Sequence, residues 1–179
     1  EMQKGEEVYL TGLELLMVML AGVSLPRPEY NKMMKDLIAA LKANGPRIKP
    51  KVRLLYTGGH ADNPEFFELL QQNDAHVVSD NTGFGTRAAD VLICEDGDPL
   101  EAIINYYFEE KPAATRQMGT QVERMERLLD LVKQYKADGV VASRLYMCDL
   151  WAFEHFLMRK RLHENNVPFL ELEVDYTPE

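Results

Sequence analysis

Four short apolar runs, at residues 52–56, 76–79, 139–145 and 168–174, are separated by segments of helical length and helical periodicity. Strands spaced this way do not close as hairpins, because an intervening helix carries the chain back to the end of the sheet from which it left. The alternation predicts a parallel sheet with right-handed crossovers and helices on both faces. Ligands of such sheets bind outside the carboxyl ends of the strands. The first run is followed by Thr57-Gly58-Gly59-His60, the second by Asp80-Asn81-Thr82-Gly83-Phe84-Gly85, and the third by a loop ending in Cys148-Asp149.

The helices are marked by their caps. Thr11 and Glu14 have capping-box spacing, which predicts a helix over residues 12–21, and its nearly all-round apolar character predicts burial. Pro26 and Pro28 precede a second, amphipathic, half-exposed helix with Tyr30, Met33, Met34, Leu37, Ile38 and Leu41 at three-four spacing, ending at Asn44-Gly45-Pro46. Asn63-Pro64 and Asp98-Pro99 open further helices, the latter running through Tyr106 and Tyr107. Thr120 and Glu123 repeat the capping-box spacing before a helix with Val122, Met125, Leu128, Leu129 and Val132 on one face, and residues 150–163 form the last. The expected fold is α/β: a helical segment of two helices over residues 1–46, then a Rossmann-like, flavodoxin-like four-stranded parallel sheet over residues 47–179.

Of the 179 residues, 46% are hydrophobic and 27% charged, enough for one globular core. The longest apolar stretch, residues 13–23, is broken by Glu14 and Gly22 and falls short of the ~18 residues of a membrane span. A net charge of -9 repels phosphate backbones and argues against nucleic acid as a general partner. Two cysteines and no basic-then-apolar leader suit a reducing, cytoplasmic setting, although a Cys94–Cys148 disulfide stays open. A chain starting with Glu, not Met, is expected to be a trimmed or partial product.

Chemistry is expected where the first three strand ends meet. Gly58-Gly59 lacks both the GxGxxG spacing and a Walker lysine, so a nucleotide cradle and a plain strand-to-helix turn are both open. His60 suits a base or a solvated loop position. Arg87 and Arg144, near the same edge, suit an anion or coenzyme phosphate, with surface ion pairing as the alternative. Cys148 falls between a strand end and a helix start with Asp149 as candidate N-cap. A thiol there faces free amides and the positive end of the dipole, which suits a metal ligand or nucleophile; a buried structural cysteine is the alternative. His155, two turns down the helix, is expected to be out of reach as its base. Cys94, after an apolar run, reads as buried; Glu154 reads as a surface charge, and Trp151, Phe153 and Phe156 as core. No Cys or His spacing fits structural zinc, and two cysteines cannot hold a conventional iron-sulfur cluster alone.

The segments EDGDPLEA (95–102), YKADGVV (135–141), MCDLWAFE (147–154) and NVPFLELEVDY (166–176), with the earlier Asn63-Pro64-Glu65, resemble in this order the carboxyl-terminal half of 2-hydroxyacyl-CoA dehydratase subunits. That family includes the ATP-dependent benzoyl-CoA reductase subunits, and the resemblance runs from about Gly12 to the end. It implies a longer subunit of two Rossmann-like halves with a [4Fe-4S] cluster ligated by cysteines from both, Cys148 being the ligand carried here. Cysteines that many relatives carry are replaced here by Gly83 and Ala113, which favours the simple cluster subunit over the double-cubane proteins.

The family chemistry implies an ATP-hydrolysing activator that injects one low-potential electron, which the cluster passes to an acyl-CoA thioester to form a ketyl radical. Dehydratases then expel the 2-hydroxyl, and reductases go on to ring reduction. The implied partners are the acyl-CoA substrate, a homologous subunit and the activator. Thr57, Gly58, Gly59, Asp80, Asn81, Thr82, Gly83, Arg87 and Arg144 would line the acyl-CoA side, a placement that rests on the strand-end rule. The chain alone is expected to hold no stable cluster and to be inactive. The alternative is a partner subunit, or an acyl-CoA- or phosphate-binding α/β module, without a cluster.

Overall fold

The structure is a computed structural model that describes residues 2–59 and 63–175. Its strands are β1 (Val52–Gly58), β2 (Ala75–Asn81), β3 (Gly139–Leu145) and β4 (Phe169–Val174), all parallel, in the order β2-β1-β3-β4. Two helices lead in, α1 (Gly12–Ser24) and α2 (Arg27–Asn44). The connections carry α3 (Pro64–Gln72), the short α4 (Thr86–Ala89), α5 (Pro99–Asn105), α6 (Gln121–Gln134) and α7 (Asp149–Glu164). Among the described residues no helix is long and apolar enough to cross a membrane.

The period-two alternation of the strands divides the core between the two faces. Leu55, Val140 and Ala142 pack with Met125, Leu128 and Val132 of α6 and with Met158 and Leu162 of α7. Their neighbours in sequence, Tyr56 and Val141, with Val77 of β2, pack with Leu16 of α1 and Phe67 of α3 on the opposite face. Parallel strands buried on both sides must be apolar at nearly every position, which is why these runs are short and continuous.

The start of the sheet is fixed by a side chain with no signal in the hydropathy pattern. Arg53 of β1 is buried and donates from Nη2 and Nε to the Tyr135 carbonyl at 2.7 and 3.0 Å and from Nη2 to the Gln3 carbonyl at 3.0 Å. Beside it the Arg53 amide donates to Asp138 Oδ2 at 2.8 Å and the Asp138 amide to the Arg53 carbonyl at 2.7 Å. One residue of β1 thus holds the chain's opening segment and the entry to β3.

Several expectations are corrected. The Thr11–Glu14 capping box forms, with both reciprocal bonds, but α1 is not buried all round. Only Gly12 and Leu16 are buried, because a single face meets β2 and α3, and Met17 and Val23 stay exposed. The Thr120–Glu123 box does not form: the Thr120 hydroxyl donates to the Gln117 carbonyl and accepts from Arg124, and it makes no bond to the helix amides. Asp98 caps α5 through Leu100 and Glu101, yet the α-helix ends at Asn105, and residues 106–110 form a π turn closed by the Lys111 amide on the Tyr106 carbonyl. Residues 91–93 form no strand, so Cys94 is exposed, and Phe153 and Phe156 also face outward.

Gly58 and Gly45 separate two reasons for glycine. Gly58 has φ +128°, and a Cβ there would lie 2.1 Å from the Ser143 carbonyl oxygen; Gly45 has φ +75° with open space around it. Gly58→Ala is expected to cost roughly 2–4 kcal/mol and Gly45→Ala about 1 kcal/mol, read from thermal or urea unfolding. Equal losses would show that the β1–β3 approach is not tight.

Candidate functional site

Parallel pairing brings three strand ends to one edge. Thr57 pairs with Asn81 on one side and with Ala142 on the other, so the loops after β1, β2 and β3 leave together. Between them lies a cleft of about 460 Å³, within the range of small-molecule sites.

One wall is Gly58-Gly59, held to β3 by the Gly59 amide on the Ser143 carbonyl at 3.0 Å. The second is the loop after β2, which Asp80 ties to itself. Asp80 Oδ1 accepts from the Thr82 amide at 2.9 Å, the Thr82 hydroxyl at 2.7 Å and the Thr86 amide at 3.2 Å, while the Thr86 hydroxyl donates to the Asp80 carbonyl. Gly85 passes so close that a Cβ would sit 1.8 Å from Asp80 Oδ1. Burial pushes the Asp80 carboxyl up from its ordinary range, and these donors with Arg87 pull the other way. Gly83 and Arg87 face the cleft from this loop.

The third wall, residues 114–116, is fixed by Arg124 of α6. Its Nη1 donates to the Ala114 and Gln117 carbonyls at 3.3 and 3.1 Å and to Thr120 Oγ1 at 2.5 Å. Its Nε and Nη2 grip both oxygens of Glu154 on α7, each at 2.8 Å. Glu154 is therefore a buried half of a bidentate ion pair, not a surface charge, because α7 turns it inward onto α6.

The fourth wall comes from β3 and α7: Leu145, Cys148, Leu150 and Trp151. Met147, at φ +62°, reverses the chain, and the Cys148 amide returns to the Leu145 carbonyl at 3.1 Å. Cys148 itself holds the N-cap position of α7, with Asp149 as the first helical residue, so Asp149 is not the cap. No side chain caps this helix, and the half-buried thiol lines the cleft.

Of the residues singled out in the sequence, Gly58, Gly59, Gly83, Arg87 and Cys148 therefore share the cleft. Thr57, Asp80, Asn81 and Thr82 are buried and do not line it; Asp80 and Thr82 border a separate small cavity with Gly12, Leu16 and Phe67. Arg144 turns instead to β4, where its Nε lies 3.3 Å from Glu171 Oε1 and its Nη2 contacts Glu173. His60 lies outside the described residues. His155 is fully buried between Trp151 and Phe169, with Nδ1 3.5 Å from Glu171 Oε1, and is not in the cleft. Burial holds its pKa below the ordinary histidine value, against the pull of Glu171. The sequence reading missed Arg124 and the 114–116 wall. One soft donor, Cys148, and two arginines, Arg87 and Arg116, line the same space, and among the described residues no group of three potential metal-binding side chains occurs.

The 2-hydroxyglutaryl-CoA dehydratase, D-component family model matches residues 1–179. Among curated proteins, the (R)-phenyllactyl-CoA dehydratase beta subunit of Clostridium sporogenes is 23% identical over 162 residues, covering 88% of this chain and 42% of that protein. A benzoyl-CoA reductase subunit of Thauera aromatica is 23% identical over 160 residues, with the same coverages of 88% and 42%. The putative dehydratase subunit YjiM of Escherichia coli (strain K12) is 26% identical over 138 residues, covering 74% and 35%. The chain spans less than half the length of the curated relatives it matches.

Removing Glu154 strands a buried guanidinium. Glu154→Leu is expected to cost about 3–5 kcal/mol in urea unfolding, and the Arg124→Met/Glu154→Leu pair less than that single change. A double variant worse than the single one would mean that the loop carbonyls, not the ion pair, set the cost.

His155 generates a pH dependence. Its folded pKa is depressed, so its contribution is full above the unfolded value near 6.5 and is lost as pH falls toward the folded value. Burial depresses His76 likewise, so both act in that window. Stability is expected to fall below about pH 6.5, by no more than about 1.4 kcal/mol per pH unit for each histidine, and His155→Phe to flatten the slope without abolishing it. Unfolding measured from pH 7.5 to 5 checks this.

Proposed function

This chain belongs to the 2-hydroxyglutaryl-CoA dehydratase, D-component family, and from that premise we propose that it is the carboxyl-terminal part of a cytoplasmic iron-sulfur subunit acting on acyl-CoA thioesters. The observation that carries the reading is the position of Cys148, a half-buried thiol on the wall of the strand-end cleft. Its relatives are named as subunits of a phenyllactyl-CoA dehydratase and of a benzoyl-CoA reductase, which supports a CoA thioester as substrate class and a homologous subunit as partner.

The donor set fits one corner of a [4Fe-4S] cluster. Cys148 supplies a single thiolate, Cys94 is exposed and does not line the cleft, and the other ligands must come from elsewhere. When bound, the cluster would supply a one-electron donor beside the thioester, fed by an ATP-hydrolysing activator. The chain's own residues then have definite tasks. Gly58 and Gly59 leave room for close approach from the β1 side, and Leu145, Leu150 and Trp151 make the Cys148 wall apolar, which excludes water. Arg124 and Glu154 hold α7 and the 114–116 wall in one position. A partner subunit that keeps the fold without a cluster is the second reading, favoured by the single thiol in the cleft.

Iron analysis of the full-length protein with its partner, purified anaerobically, tests the reading. Cys148→Ser is expected to lower bound iron and sulfide severalfold, and Cys94→Ser to leave both in place. Unchanged iron in Cys148→Ser, or none in the wild type, rejects the cluster role. The 179-residue chain alone, reconstituted anaerobically, is expected to hold no stoichiometric cluster.

A further inference from the structure

Arg87 is an arginine whose charge the fold does not answer. It is half-buried in the cleft wall, and among the described residues it makes no hydrogen bond or salt bridge. Its surroundings work against it: Arg127 and Arg124 repel it, and only Asp80 and Glu154 attract it. Both attracting groups are already committed. The Asp80 carboxylate receives Thr82 and Thr86, and both Glu154 oxygens are held by Arg124. Nor is the neighbouring Arg127 fully satisfied, since its Nε and Nη2 are buried without partners while Nη1 reaches Asp90 at 2.7 Å. A half-buried guanidinium that opens on a cleft, with no acceptor from the fold and two arginines beside it, is a receptor for an anion, and its planar fork matches a carboxylate or a phosphate bidentately.

The rest of the cleft narrows the ligand. Arg116 adds a second cation to the lining, Gly83 leaves room beside the Arg87 Nη2, and Leu145, Leu150 and Trp151 give an apolar wall. A bare inorganic ion would use the first part and waste the second. We propose that Arg87, with Arg116, forms an oxyanion subsite that takes the carboxylate or phosphate of an organic ligand whose apolar part lies against Leu145, Leu150 and Trp151. Assigning that oxyanion to an acyl-CoA, as the coenzyme phosphate or as a carboxylate on the acyl chain, rests on the function proposed above; the subsite itself rests on the cleft alone.

The test is calorimetric titration of the full-length protein at fixed ionic strength and pH 7 with inorganic phosphate, with hexanoate and with glutarate. The variants are Arg87→Gln, Arg87→Lys, Arg116→Gln and, outside the cleft, Arg47→Gln. Saturable binding is expected, weakened at least tenfold by Arg87→Gln, less by Arg87→Lys, which keeps the charge and loses the fork, and not at all by Arg47→Gln. Tighter binding of phosphate than of either carboxylate assigns the coenzyme side; tighter binding of the carboxylates assigns the acyl side. If Arg87→Gln does not fold, Arg87→Lys and Arg116→Gln carry the comparison. Absence of saturable binding, or binding indifferent to Arg87 and Arg116, overturns the subsite. Iron measured in the same anaerobically purified samples separates the two readings: wild-type protein that binds the anions but carries no iron rejects the cluster and leaves the subsite standing, whereas iron-loaded protein that binds none rejects the subsite alone.

Discussion

Parallel pairing of β1 with β2 on one side and β3 on the other decides almost everything at the cleft. A strand flanked in this way is covered on both faces and both edges, so the first free space along it is beyond its carboxyl end. Three loops must leave through that space together. The close approach of Gly58 to the Ser143 carbonyl is the local result, since two strand ends converge where a side chain would not fit. A functional surface at this edge is therefore built from backbone and loop residues, with the strands acting as their anchor.

Loops are mobile unless something holds them, and here the holding is done by buried polar groups. Asp80 and Arg124 do this in opposite ways. Asp80 closes a local turn with donors no more than six residues away, so the β2 loop is shaped by its own residues. Arg124 acts at long range, joining α6, α7 and the 114–120 segment. Burying its charge is costly, and the cost is offset because carboxylate, carbonyls and hydroxyl together answer its whole fork. Arg87, a short distance away in the same field of charges, has none of these acceptors. That contrast between two arginines is the basis for the anion subsite proposed at Arg87.

The legible part of the sequence was what repeats or caps locally. The four strands were readable to within about two residues because each is an apolar run closed by turn formers, and parallel order followed from the helices between them. Gly58, Gly59, Gly83, Arg87 and Cys148 were readable as neighbours for the same reason, through the strand-end rule. What failed depended on partners distant in sequence. The Thr120 hydroxyl was lost as a cap to Arg124, Cys94 was exposed because its apolar run found no sheet, and the apolar α1 met the protein along one face only. The 114–116 wall has no periodicity to place it. A signal for its tether did exist. Arg124 sits four residues before Leu128 on the buried face of α6, and Glu154 four before Met158 on that of α7: opposite charges on two apolar stripes.

Cys148 and Arg87 stand on different strand ends of the cleft. Cys148 is set by the turn out of β3 and the start of α7, whereas Arg87 is set by the Asp80-locked loop after β2. Neither loop supplies a hydrogen bond that fixes the other, so each wall can change with little effect on its neighbour. The relatives are named for phenyllactyl-CoA and benzoyl-CoA, and on the function proposed above such separation would let the Cys148 wall keep one task while the facing wall differs with the ligand. The glycine at position 83 fits that division: a side chain there would press on the Arg87 guanidinium from 3.1 Å and reshape the wall after β2, leaving the thiol where β3 and α7 put it.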